Sequence, residues 1–411
     1  MTAHHSHSAA LSTCTPKDEA ALGTASTGPT PSGLSRRGAL GVLAAALAAP
    51  ALAQPAMAGT MPNPNNTPTG AIRTYADMVR DLRQIEHTSR GQVRVTTLAA
   101  VGTAETHSEQ GRDLYVATVG HGPTPVWIQG RIHGDEPYGL DAPMHVLRML
   151  GSNGSPEYRR LREAFTVHII PMYNPDGSEM NTRTTTLWDR ATNQPLRTAS
   201  GAERRVDLNR DWAPNAFVAR ESRAWYEYWT MVKPEFVLDI HHQGLKQDRV
   251  TGEDISFSLG ISLAPGGPTL PGLQGGAYDV LTRQMAAHVW QQTRHRGHIT
   301  TDRYDVGDGY VIDIRGGVVS AMMMGLNWNG LNAAGHSNPA IFFETSGNTR
   351  DGNLGQKARG KLIQQNILGT TALLTGMADG TVASLDPELW EAIPHSPVRY
   401  YFTDWGGTIP A

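Results

Sequence analysis

His133 and Glu136 stand three residues apart, just past the apolar run 126–132. An imidazole nitrogen and a carboxylate oxygen at that spacing can turn toward one cation, and this mixed donor set suits zinc. A catalytic zinc takes three protein ligands and keeps one position open. A plain turn with a solvated glutamate would carry the same residues, so the reading needs partners elsewhere in the chain. Two candidates end apolar runs further on: the pair His241-His242 after 236–240, and Glu344 after 340–343.

The elements that would position these groups are legible from periodicity. Met78, Leu82 and Ile85 give helical spacing over 75–85. Runs at 93–98, 114–119, 126–132, 165–172, 236–240 and 340–343 read as strands, and 140–150, 218–232, 278–290 and 357–377 as helices. Asn174-Pro175-Asp176-Gly177 is a strong turn signal, and 183–205 reads as a polar loop of unusual length. The glycine-rich 263–276 and the run Met322 to Met324 read as loops or core. Strands alternating with helices predict an α/β sheet sandwiched by helices, with its site beyond the carboxyl ends of the strands. Three strand ends would then deliver His133 with Glu136, His241, and Glu344 to one place.

The formal net charge of the 411-residue chain is -3, with no basic stripe of the kind a nucleic-acid partner needs. The single cysteine, Cys14, allows no disulfide within the chain. Residues 1–34 are rich in Ser, Thr, Pro, Gly and Ala. Arg36-Arg37 then precedes an Ala/Leu run, to Leu52, too short to span a bilayer. This resembles a twin-arginine export signal, cut after Ala53 or Ala58, although Ala39 and Gly41 replace the usual Phe and Lys. The expected organisation is a disordered n-region plus signal peptide over 1–58, a linker over 59–70, a catalytic domain over 71–378 and an irregular extension over 379–411. The mature chain is expected to be exported, periplasmic or extracellular, monomeric and without a membrane span. The short linker before Tyr75 leaves little room for a folded inhibitory prodomain.

Taken together, His133-x-x-Glu136, Asn174-Pro175-Asp176-Gly177, Asp207-Leu208-Asn209-Arg210, Asp239-x-His241 and Phe343-Glu344 resemble the zinc carboxypeptidases of the carboxypeptidase A type. The resemblance runs in order from about Tyr75 to about Met377. It implies a three-layer α/β/α domain around a mixed, roughly eight-stranded sheet, and hydrolysis of the peptide bond next to a free C-terminal carboxylate. It also implies one Zn2+ held by His133, Glu136 and His241, with His242 as the competing ligand. Glu344 would be the general base, and Asn209 with Arg210 would clamp the substrate carboxylate, for which a planar guanidinium is the matching shape. Asp207 would accept from the other ring nitrogen of His133. Arg183 would polarise the scissile carbonyl and support the oxyanion, with Arg190 as the alternative.

The chain departs from the digestive members of that family in two respects. Between Tyr310 and Glu344 there is no tyrosine to cap the substrate; Trp328 lies in that region, and either the cap is lost or Asn329, His336 or Tyr310 substitutes. Asp135 replaces the arginine that those members carry between the first two ligands. Two further readings share the scaffold: a zinc amidase acting on cell-wall stem peptides, and a non-catalytic peptide-binding protein.

Overall fold

A computed structural model describes residues 72–212, 217–248, 250–261, 273–305, 310–312, 317–325, 334–347, 356–395, 399–402 and 408–410. The expected signal peptide and linker lie outside the described residues, as do Trp328, Asn329 and most of the glycine-rich stretch 263–276.

Eight strands form one mixed sheet: β1 (Val93–Thr97), β2 (Tyr115–Val119), β3 (Thr124–Gly130), β4 (Phe165–Ile170), β5 (Phe236–Gln243), β6 (Phe257–Ile261), β7 (Thr301–Arg303) and β8 (Ala340–Ser346). Their spatial order is β1-β2-β4-β3-β5-β8-β6-β7. The centre, β4-β3-β5-β8, is parallel, while β1-β2, β2-β4 and β8-β6 are antiparallel. This is the mixed eight-stranded α/β fold that the sequence motifs implied.

Successive side chains of a strand point to opposite faces, so each central strand feeds two cores. Val126 and Ile128 of β3, Phe236, Leu238 and Ile240 of β5, and Ile341 and Phe343 of β8 pack on one face. There they meet helices Tyr75–Thr88, Tyr138–Ser152, Ala277–Thr293 and Gln356–Ala378. Trp127, Val237, Ala340 and Phe342 point the other way, toward helix Arg220–Val232 and the fully buried helix Val318–Met324. That second cluster holds Trp212, Trp225 and Trp229.

Four segments differ from the sequence reading. The polar loop over 183–205 is a two-tiered hairpin: Thr185–Thr186 pairs with Arg205–Val206, and Trp188–Asp189 with Gln194–Pro195. Its turns use Asn193 and Gly201 at positive φ, and the pairs are too short to give a readable alternation. Helix Pro156–Ala164, capped by Ser155, precedes β4. β6 and β7 form the far edge of the sheet. Beyond residue 379 the chain forms short helical turns, Thr381–Ser384 and Pro387–Ala392, and sends Trp390 and Ile393 into the first core. No helix among the described residues is long and apolar enough to cross a membrane.

Candidate metal centre and cleft

The loop after β3 is built by close backbone contact. A Cβ on Gly130 would lie 2.1 Å from Gly139 O, and one on Gly134 would lie 2.2 Å from Gly177 O. Only glycine fits at such approaches. The second contact explains the Asn-Pro-Asp-Gly turn: it forms the seat for the loop that carries His133 and Glu136. Asn174 Oδ1 accepts from Gly177 N at 2.8 Å, and Asp176 is held by Ser108 Oγ, Gln110 N and Arg112 Nη1 at 2.6–2.7 Å.

His133, Glu136 and His241 converge, each offering one ligand atom within 4.8 Å of the others, and all three are buried. His133 Nδ1 is 2.7 Å from Glu136 Oε1, His241 Nδ1 is 3.2 Å from Glu136 Oε2, and the two Nδ1 atoms are 3.3 Å apart. Behind them, His133 Nε2 lies 3.3 Å from Asp207 Oδ1 and His241 Nε2 lies 2.8 Å from Asp239 Oδ2. With the ring protons on Nε2, facing those carboxylates, both Nδ1 atoms can offer lone pairs to a cation. Two lone pairs and a carboxylate at such distances repel unless a proton or a metal cation lies among them. A tetrahedral ion with bonds of about 2.0–2.1 Å would hold two nitrogens about 3.3 Å apart, so the donors fit zinc in kind and in spacing.

His242 takes the other direction. It follows His241 on β5, so it points to the opposite face, where it lies against Tyr138 at 5.6 Å. Burial pushes its imidazole down to about 4.

Glu344 is the register partner of His241 in the parallel pair β8-β5, which sets the two side chains abreast on one face. Burial pushes its carboxyl up to about 7; the Glu136 charge adds to this, and His241, His133 and Arg183 oppose it. His241 is raised well above the ordinary histidine value: burial works against the charge, and Asp239 and Glu136 outweigh it.

Arg183 Nε donates to Asp207 Oδ2 at 2.9 Å, and its Nη1 lies 3.3 Å from His133 Nδ1 and 4.0 Å from Glu136 Oε1. Arg190 is remote, donating to the carbonyls of His107 and Ser108. Asn209 N donates to Asp207 Oδ1 at 2.9 Å, and its own Oδ1 accepts from Val318 N at 3.0 Å. Arg210 Nη1 donates to Asn209 O at 2.6 Å. One short turn, Leu208–Arg210, therefore presents the amide of Asn209 beside the Arg210 guanidinium.

Sequence reasoning missed Tyr304. It follows β7, its backbone N–H donates to Leu259 O at 2.9 Å, and its ring stands edge-on to Phe342 at 5.2 Å. Its phenol is pushed well above the ordinary value by burial and by the Glu344 charge, against Arg183 and Arg210. Tyr304 precedes the tyrosine-free stretch between Tyr310 and Glu344. His336, a candidate substitute for that cap, instead faces Pro234 O at 3.0 Å and packs on Trp229.

The zinc carboxypeptidase family model matches residues 85–231, a span that includes His133, Glu136, Asn209 and Arg210 but stops before His241 and Glu344. A probable carboxypeptidase 2 of Arthroderma benhamiae is 27% identical over 217 residues, covering 49% of this chain and 37% of that protein. Carboxypeptidase Z of Homo sapiens is 30% identical over 131 residues, covering 28% of this chain and 19% of that protein. The chain thus spans well under half the length of the curated relatives it matches. Among solved structures, thrombin activatable fibrinolysis inhibitor aligns with a TM-score of 0.51 at 12% identity, covering 76% of this chain and 78% of that one. The bovine form, solved in complex with tick carboxypeptidase inhibitor, aligns at 0.50 and 13%, covering 75% and 98%. Residues 85–231 thus match the zinc carboxypeptidase family model, and the described fold is that of solved carboxypeptidase-like structures.

Proposed function

We infer that this chain is a zinc-dependent metallocarboxypeptidase that removes residues from peptides with a free C-terminal carboxylate. The observation that carries the reading is the convergence of His133 Nδ1, His241 Nδ1 and Glu136, each histidine backed by an aspartate, with Glu344 alongside. Zinc bound there would supply Lewis acidity to water and to the scissile carbonyl. Glu344 takes a proton from the attacking water and returns it to the leaving amine, a task suited to a carboxyl raised toward neutrality. Arg183, steered by Asp207, faces the developing oxyanion. Asn209 and Arg210 orient the substrate through its terminal carboxylate. Asp207 and Asp239 fix the tautomers of His133 and His241. Arg36-Arg37 and the apolar run after it support export of the mature chain, which acts as a monomer outside the cytoplasm.

The test is zinc content and C-terminal trimming of a mixed peptide library by the parent chain and Glu344→Gln side by side. The parent should hold one zinc and release single residues; the variant should keep its zinc and lose about 10²–10⁴ in rate. Zinc binding without trimming by the parent would overturn the substrate class, and cell-wall stem peptides would then be the next substrates to try.

A further inference from the structure

Arg131 stands between the end of β3 and His133, and nothing in the proposed chemistry uses it. It is fully buried and has a φ of 56°, a left-handed conformation that a residue with a side chain holds only when its surroundings enforce it. Its hydrogen bonds among the described residues all go to main-chain carbonyls. Nη1 donates to Arg73 O at 2.8 Å, Nη2 to Ser178 O at 3.2 Å, and both Nε and Nη2 to Gly134 O at 3.4 Å. Burial lowers its pKa to about 10, which leaves it a cation at neutral pH, compensated by Glu179, Asp141 and Asp135.

These carbonyls belong to three separate segments: the entry to helix Tyr75–Thr88, the loop between His133 and Glu136, and the turn Pro175–Glu179. The last two touch through Gly134 and Gly177, where neither residue has a side chain to fix their relative position. The backbone of Arg131 holds the same junction, because its carbonyl accepts from Asn174 N at 3.2 Å.

We propose that Arg131 is a positioning residue, whose guanidinium locks the His133–Glu136 loop to the Pro175–Glu179 turn so that both ligands meet His241. The proposal rests on the metal reading of the cluster for its affinity arm and on the metal-free chain for its second arm. Lys at this position keeps the charge but lacks the planar fork that spans three acceptors. Gly relieves the positive φ and removes every donor.

Two measurements on full-length Arg131→Lys and Arg131→Gly test it: zinc dissociation constants by chelator competition, and amide hydrogen exchange of the metal-free chains. Zinc binding should weaken about 10–100-fold in both variants. Amides at 132–138 should exchange about tenfold faster or more, while those of β4 and helix Arg220–Val232 keep parent rates. Parent-like exchange at 132–138, or acceleration spread evenly over the chain, would overturn the proposal. So would parent zinc affinity in both variants. If the parent bound no zinc, the proposed function would fail, and the exchange pattern would still decide the role of Arg131. If the Gly variant did not fold, the Lys variant would carry both measurements.

Discussion

The two faces of the sheet are built from different materials. One is packed by Leu, Ile, Val and Met with Phe165, Phe236, Phe257 and Phe343, under helices Tyr138–Ser152 and Gln356–Ala378. The other is packed by fully buried tryptophans, and each indole N–H reaches an acceptor: Trp127 to Gln129 Oε1, Trp212 to Tyr173 Oη, Trp225 to Tyr173 O and Trp229 to Asn338 Oδ1, at 2.7–3.0 Å. Asp239, His241 and Glu344 share that second face with Val237 and Phe342. A hydrocarbon side chain leaves a polar atom without a partner, whereas tryptophan and tyrosine bring large area and a polar handle together. The second face therefore places the buried charges of the site among side chains that can hydrogen-bond.

The sharpest break of this comparison lies within two adjacent residues of β5. His241→Ala should abolish stoichiometric zinc binding, whereas His242→Phe, on the first face against Tyr138, should leave one zinc per chain. Metal analysis of the two purified variants decides it; loss of zinc in both would mean that the faces are not separable. Next in size, Leu238→Ala on the first face should cost about 2–5 kcal/mol in urea unfolding, with parent turnover per folded, zinc-loaded chain. Trp225→Phe should cost less, about 1–3 kcal/mol, yet lower turnover several-fold. It removes the donor to Tyr173 O beside Asn174, and thus disturbs the turn that seats the ligand loop.

The smallest effect sharpens the contrast through pH. His168 shares the aromatic side, 2.6 Å from Tyr228 Oη, and burial pushes it down to about 4. Its unfolded value is about 6.5, so between those values the unfolded chain binds more protons than the folded one. Its contribution is therefore full above about pH 6.5 and falls away as pH drops toward 4, by at most about 3 kcal/mol. His168→Phe should flatten that part of the stability-pH curve, measured by urea unfolding from pH 7 to 4. An unchanged slope would remove His168 as its source.

Sequence periodicity exposed six of the eight strands, because β-branched and apolar residues run or alternate through each of them. β6, Phe-Ser-Leu-Gly-Ile, hides because it is buried on both faces, and its Gly260 exists to admit the Phe342 ring. β7 is three residues long and shows no alternation. Within the site, His133, Glu136, His241 and Glu344 were legible since each follows closely on an apolar run. Tyr304 was not, because its place depends on the unseen β7. Arg131 read as the last residues of an apolar strand; its left-handed backbone and its carbonyl partners exist only in three dimensions.

The hairpin over residues 184–206 leaves the cleft at Arg183 and returns at Asp207, and those two feet are joined by an ion pair at 2.9 Å. The arm is therefore a module with its own clasp. Lengthening a surface loop adds only about 0.6 kcal/mol of closure entropy per doubling. Its exposed tip, near Ser200 and Gly201, is thus a natural splice point, where a tag, a reporter or a second binding module can be grafted while the geometry at the feet is conserved.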